Sequence, residues 1–156
     1  RGIAKLGLQK YEEAIVDFNK ELELNPRSDL AYYEIGIAES RLDHFTSAID
    51  SFTKAIEINP NNAEYYAQRG ALISRSDGDL QKAKEDLIKA IDIDKSDAEK
   101  YLTRAIIFCK LNMYLPAIDD LNVVIKLDEK NTQAYDLRSY AISSMNSEAE
   151  KAKADK

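Results

Sequence analysis

The residues able to do chemistry are few: one histidine, His44, one cysteine, Cys109, and no tryptophan in 156 residues. His44 falls in a short turn ahead of a helix-patterned segment, where an imidazole is solvated far more often than it serves as a general base. Cys109 has no second cysteine to pair with, which excludes an internal disulfide and two-cysteine metal sites, and its place in an apolar-periodic segment predicts packing. The sequence has no Gly-x4-Gly-Lys-Ser/Thr phosphate loop, no Gly-x-Ser-x-Gly nucleophile elbow and no His-Glu-x2-His zinc motif. Asp77-Gly78-Asp79 has the residue types of a calcium loop but not its ligand spacing, and reads as a turn insertion. Adjacent carboxylates such as Glu12-Glu13, Glu85-Asp86 and Asp119-Asp120 point about 100° apart on a helix and do not share a substrate. The expectation is a non-enzyme with no cofactor and no metal.

What must be positioned, then, is a surface. Charged residues make up 32% of the chain, above the ~25% of an average domain, which describes a soluble protein with a large exposed surface. The net charge of -6 lacks the concentrated basic footprint of a nucleic-acid binder. No apolar run approaches the ~18 residues of a membrane span and no leader pattern is present, so no membrane insertion is expected. One cysteine favours a reducing, cytoplasmic location without establishing it. With only 5 glycines and 3 prolines, turns are few and the elements long, which points to helices.

The chain matches itself. Asn25-Pro26 recurs as Asn59-Pro60, followed by Asp94-Lys95 and Asp128-Glu129, a period of 34 residues with one step of 35. Ala14, Ala48, Ala83 and Ala117 keep the same beat, each followed four residues later by Phe18, Phe52, Leu87 or Leu121. Tyr32, Tyr66, Tyr101 and Tyr135 share another slot, and Gly2, Gly36 and Gly70 a third. The extra residue of the long step falls at Ser76-Asp77-Gly78-Asp79, where a turn absorbs it.

In these residues the chain resembles the tetratricopeptide repeat (TPR) family, whose unit carries Trp-x2-Leu-Gly-x2-Tyr, then Ala-x3-Phe, Ala and Pro. The resemblance covers nearly the whole sequence: a truncated repeat over 1–28, repeats over 29–62, 63–97 and 98–131, and a capping helix with a frayed tail over 132–156. It departs at the tryptophan slot, which holds tyrosine, at Ala105 and Ser139 for glycine, at Lys95 and Glu129 for proline, and at Glu21 for alanine. The implied fold is all-α, a right-handed α-α superhelical solenoid of helix-turn-helix repeats.

The periodicity supports two amphipathic helices per repeat without that comparison. Between 29 and 58, apolar residues fall at Tyr32, Ile35 and Ala38, then at Phe45, Ala48, Ile49, Phe52, Ala55 and Ile56, at spacings of three and four. Ser28, Asn62, Asp97 and Asn131 stand one per repeat where an N-cap is needed. Small residues at Gly36, Gly70, Ala48 and Ala83 allow close helix approach. A covariation between repeats adds a pairing: Arg1, Arg69 and Arg104 accompany Asp17, Asp86 and Asp120, whereas the repeat with Ile35 has Ser51. These are expected to be partly buried ion pairs joining the two helices of one repeat. Arg138 has no second helix in its own repeat, and the sequence does not say where it goes.

In proteins resembling this family, the first helices of successive repeats line a concave groove that holds a partner segment. Carried over slot by slot, that groove presents Leu30, Tyr33, Ile37 and Arg41, then Glu64, Ala67, Ala71 and Arg75, then Glu99, Leu102, Ile106 and Lys110, and finally Gln133, Asp136 and Tyr140. The partner-binding set is taken as Tyr33, Ile37, Arg41, Arg75, Leu102, Ile106, Lys110 and Tyr140. The family's carboxylate clamp for chaperone tails is absent: its Lys, Asn, Asn, Lys and Arg slots read Tyr33, Ile37, Gln68, Glu99 and Thr103. The expected partner is therefore a protein or peptide segment anchored by apolar contacts. The alternative is a structural or self-association module of a larger protein, whose repeats pair with a copy or pack against another part of the same protein through the end near Gly2 and Leu6. Because Arg1 falls partway through a first helix, further residues are expected upstream.

Overall fold

The computed structural model describes residues 10–154 apart from Asp77; Arg1, Gly2 and Leu6, and with them the Arg1–Asp17 pairing, lie outside the described residues. Among the described residues there are eight helices and no strand: α1 (Tyr11–Leu24), α2 (Asp29–Arg41), α3 (Phe45–Ile58), α4 (Ala63–Arg75), α5 (Leu80–Ile93), α6 (Ala98–Lys110), α7 (Tyr114–Leu127) and α8 (Thr132–Ala154). They form two compact units, Arg1–Ile93 with α1 to α5 and Asp94–Lys156 with α6 to α8. The fold is all-α, built from helix-turn-helix pairs at the expected period.

All four N-caps form as expected. The side chains of Ser28, Asn62, Asp97 and Asn131 accept from the backbone N–H of Ala31, Glu64, Glu99 and Ala134 at 3.2, 3.0, 2.9 and 3.0 Å, satisfying first-turn donors that a helix leaves unpaired. The second helices start differently: His44 and Met113 make no side-chain cap. In two repeats the turn into the second helix is made by a residue in the left-handed region, Asp43 at φ 59° and Asn112 at φ 56°, the residue types that tolerate it best after glycine. The insertion at 76–79 supplies a cap instead, with Asp79 Oδ1 accepting from Gln81 and Lys82 N–H at 2.9 and 3.2 Å.

Within the first unit the core repeats a single motif. Ala14, Ala48 and Ala83 are fully buried, and Phe18, Phe52 and Leu87 pack beside them. A Cβ on Gly36 would lie 2.7 Å from the Phe52 ring, and one on Gly70 would meet the Leu87 side chain and stand 2.9 Å from the Ala83 carbonyl oxygen. Glycine in this slot therefore sets how near the helices of a repeat come. The second unit uses fully buried Ala105 against a core that contains Ala117 and Leu121. Glu21, in a slot where alanine is usual, stays at the surface and accepts from Ser28 Oγ at 2.8 Å, so the departure costs no core packing.

The arginine–aspartate pairing is present where it can be seen. Arg69 Nε and Nη2 donate to Asp86 Oδ2 and Oδ1 at 2.8 and 2.7 Å, and Arg104 repeats the bidentate geometry on Asp120 at 2.8 and 2.7 Å. Side-chain exposures of 12% and 7%, and of 17% and 7%, make these largely desolvated forks rather than surface pairs. Each arginine also stands over the tyrosine three residues before it, 6.0 Å from Tyr66 and 5.7 Å from Tyr101. The repeat without arginine compensates in two ways: Lys54 stands 5.3 Å over Tyr32, and Ser51 Oγ donates to Glu39 Oε2 at 2.8 Å.

Arg138 reaches backward. Its Nη1 donates to Asn122 Oδ1 at 2.8 Å on α7, and Arg69 Nη1 donates to Thr53 Oγ1 at 3.0 Å on α3. Thr53 and Asn122 occupy one slot, five residues after the repeat alanine. The guanidinium therefore has two jobs, clamping its own repeat through aspartate and tying to the preceding one. Sequence covariation exposed only the first, because Thr and Asn share no obvious pattern.

Candidate functional site

The expected groove residues divide between the two units. In the first, Tyr33 and Ile37 on α2 are half-buried and pack against Phe52 and Leu72. The Tyr33 ring centre lies 5.9 Å from that of Phe52 and 5.0 Å from that of Tyr65. Burial, reinforced by the Glu64 and Glu34 carboxylates, pushes the Tyr33 phenol well above its ordinary range. Tyr33 is thus partly a core residue, with its hydroxyl end among carboxylates. Beside it, Gln68 Nε2 donates to Glu64 Oε1 at 2.7 Å.

Arg41, Arg75 and Lys110 are exposed, and each is the last residue of its helix, α2, α4 and α6. A cation there complements the partial negative charge of unpaired carbonyls. The shared slot therefore has a local helical reason, which does not prevent the same charges from meeting an acidic ligand.

In the second unit, Ile106 on α6 and Gln133, Asp136, Leu137 and Tyr140 on α8 line a groove of about 450 Å³ together with Thr132. Tyr140 is 54% exposed and its ring stands edge-on to Tyr114, with centres 6.5 Å apart. Four residues assigned to the groove by slot alone, Ile106, Gln133, Asp136 and Tyr140, are thus neighbours around one concavity. Leu102 is corrected: it is 4% exposed, so its side chain belongs to packing and offers no surface to a partner. Tyr33 and Asp136 share its slot and are more open, so the slot alone does not fix which neighbours cover a position.

Two clusters escaped the sequence reading. Asp29 accepts from Asn59 Nδ2 at 2.8 Å and from the Tyr65 hydroxyl at 3.0 Å, which ties α2 to the next repeat, holds the Asp29 carboxyl below its ordinary range, and leaves Tyr65, also buried, pushed up to about 12. Lys100 is 5% exposed and donates to Asp97 at 2.8 Å and Asp94 at 3.1 Å. Burial opposes its charge, but the two carboxylates outweigh burial and hold its pKa above the ordinary lysine value. A lysine three places after an aspartate cap is the one signal that pointed there. Asp94 is held at about 2 by hydrogen bonds from the Ser96 hydroxyl and N–H, then by Lys100. A carboxyl depressed in the fold contributes stability above its unfolded pKa, and that contribution is lost as pH falls through the folded one. Asp94 is therefore expected to titrate near pH 2 by carbonyl-carbon NMR, and Ser96→Ala to move that midpoint toward 4. An unmoved midpoint would show that Ser96 does not set it.

His44 is exposed, and Cys109 is buried, its thiol pushed up by burial and so poorly nucleophilic at neutral pH. Among the described residues no group of three or more His, Cys, Asp or Glu is arranged to hold a metal ion, and no helix is long and apolar enough to cross a membrane.

Two tetratricopeptide repeat models match the chain, one at residues 29–62 and the other at 51–85. No curated protein matches it. Among solved structures it is similar to the MamA protein, at 21% identity over 97% of this chain and 82% of that one, with a TM-score of 0.87. It is also similar to YrrB, described as a TPR protein with an unusual peptide-binding site, at 19% identity over 93% of this chain and 74% of that one, with a TM-score of 0.84. The first TPR of Spaghetti (RPAP3), solved bound to the HSP90 peptide SRMEEVD, is 21% identical over 76% of this chain and 93% of its own, with a TM-score of 0.73. At these identities the likeness is one of fold. With the 34-residue period, the caps and the Ala-x3-Phe packing, residues 29–85 are tetratricopeptide repeats, and the described residues share the fold of tetratricopeptide repeat proteins.

Proposed function

We propose that this protein is a non-catalytic interaction scaffold that binds a peptide or helix of a partner protein on the concave side of its first helices. The observation that carries the reading is the roughly 450 Å³ groove in the second unit, walled by Ile106, Leu137 and the exposed Tyr140 and edged by Gln133 and Asp136. Apolar walls with a few polar groups at the rim suit an anchoring side chain, and an accessible tyrosine is a common energetic centre of such contacts. Tyr33, Ile37, Arg41 and Arg75 form the corresponding face in the first unit, and Lys110 closes the far end of α6. Recognition of an acidic chaperone tail through a carboxylate clamp is disfavoured, since the clamp slots hold Tyr33, Ile37, Gln68, Glu99 and Thr103. The peptide-bound and peptide-binding relatives lend the general mode, a segment held by repeats, and not its chemistry.

The test is retention of a partner from native lysate by immobilised protein, with an Ile106→Ala/Tyr140→Ala double variant alongside. Both substitutions leave the fully buried core untouched, so circular dichroism is expected to be unchanged while retention falls at least tenfold, as for loss of two contact residues at ~1 kcal/mol or more each. Equal retention by both proteins would remove the groove from the mechanism.

A further inference from the structure

Helix α8 has three faces, and among the described residues no second helix of its own repeat packs on one of them. Fully buried Ala134 and Ala141 lie in its packed seam, and Gln133, Asp136, Leu137 and Tyr140 line the groove described above. Tyr135, Arg138, Ser139 and Ile142 fall within about 100° of arc on the remaining side. In complete repeats those four slots face the second helix of the same repeat: Gly36 abuts Phe52, Gly70 abuts Ala83 and Leu87, Arg69 grips Asp86, and Arg104 grips Asp120. Tyr101 is 9%, Ile73 4% and Phe108 8% exposed there, and Tyr32, Tyr66 and Glu39 are half-buried. On α8 the equivalents stand open, Tyr135 at 40% and Ile142 at 41%.

The electrostatics are incomplete in the same place. Arg138 donates to Asn122 and stands 5.4 Å over Tyr135, but among the described residues no carboxylate fills the position that Asp86 and Asp120 take on its equivalents. We infer that this face of α8 docks an amphipathic helix of a partner protein carrying Ala-x2-Asp followed by Leu or Phe, which would act as the missing second helix of a composite repeat. Its alanine and its apolar residue would sit over Ser139, as Ala83 and Leu87 do over Gly70, and its aspartate would take the Arg138 fork. The motif is written three times in this chain, at Ala14-x2-Asp17-Phe18, Ala83-x2-Asp86-Leu87 and Ala117-x2-Asp120-Leu121, and the last two grip the arginine of their own repeats. This surface is distinct from the concave groove, so either can fail without the other.

The probe is a helix-stapled peptide with the sequence of residues 79–94, checked for helicity and titrated into isotope-labelled protein. Saturable shifts at Tyr135, Arg138, Ser139 and Ile142 are expected. Binding should weaken about tenfold or more when the peptide carries Asp86→Asn or the protein carries Arg138→Gln, as for loss of one charge-assisted fork. Absence of binding by the helical peptide, equal binding of the Asp86→Asn peptide, or shifts confined to Ile106 and Leu137 would each overturn the inference. So would sedimentation of the free protein as a dimer that Arg138→Gln disperses, which would make the occupant a second copy.

Discussion

Replacing Asp86 by alanine is expected to destabilise the protein by about 3 to 5 kcal/mol, seen as a lower midpoint of urea unfolding with an unchanged slope. The size follows from what is left behind. Arg69 keeps one hydrogen bond to Thr53 while two donors that faced the carboxylate stay desolvated at 12% exposure. The pair itself is not expected to be worth that much. The repeat with Ile35 and Ser51 performs the same helix-to-helix join without it, Ile35 being 5% exposed. The double change Arg69→Ile and Asp86→Ser should therefore recover most of the loss, since swapping a buried pair for a packed apolar residue is often neutral. Were the double variant as unstable as Asp86→Ala alone, the pair would hold the repeat by something the apolar version cannot supply. A loss below 0.5 kcal/mol for Asp86→Ala would mean that the fork is solvated in solution.

Phe52→Ala is expected to be as severe, at about 3 to 5 kcal/mol, because the ring is 1% exposed and its loss opens a cavity between α2, α3 and α4. The ring also limits its neighbour. Alanine at position 36 would place a Cβ 2.7 Å from Phe52, so Gly36→Ala alone should cost roughly 1 to 3 kcal/mol as overpacking. Gly36→Ala combined with Phe52→Leu, the pairing that Ala105 and Leu121 make in the fourth repeat, should cost less than the sum of the two single changes. Contacting residues that share a space are non-additive, and a double-variant cycle by urea or thermal unfolding reads the coupling directly. Strict additivity would show that the glycine is kept for a reason other than room for the ring.

Changes at Asp86 and Phe52 test electrostatics and packing inside repeats, whereas the groove depends on what those repeats leave uncovered. Much of the scaffold was legible because each repeat is a local solution to one problem: two amphipathic helices, a small residue where they cross, a cap where each pair starts. Such features lie within a few residues of one another and recur at a fixed period, so comparing the chain with itself separates them from chance. The four caps, the forks on Asp86 and Asp120, the turn at 76–79 and the neighbourhood of Ile106, Gln133, Asp136 and Tyr140 were legible for that reason.

Only the tertiary structure decided the rest, and in each case the missing quantity was exposure or the identity of a distant partner. Slot matching placed Leu102 in the groove, but it is 4% exposed and belongs to the packing. It treated Tyr33 as an open aromatic, whereas Phe52 and Tyr65 hold the ring half-buried. The carboxylate pair around Lys100, the Asp29–Asn59–Tyr65 link and the backward reach of Arg138 to Asn122 join residue types that no periodic pattern marks. Period and residue type alone determined that this chain folds as helix-turn-helix repeats of the tetratricopeptide type. Which side chains remain open to a partner was decided by packing across helices, because accessibility depends on everything that surrounds a residue and periodicity records only the residue itself.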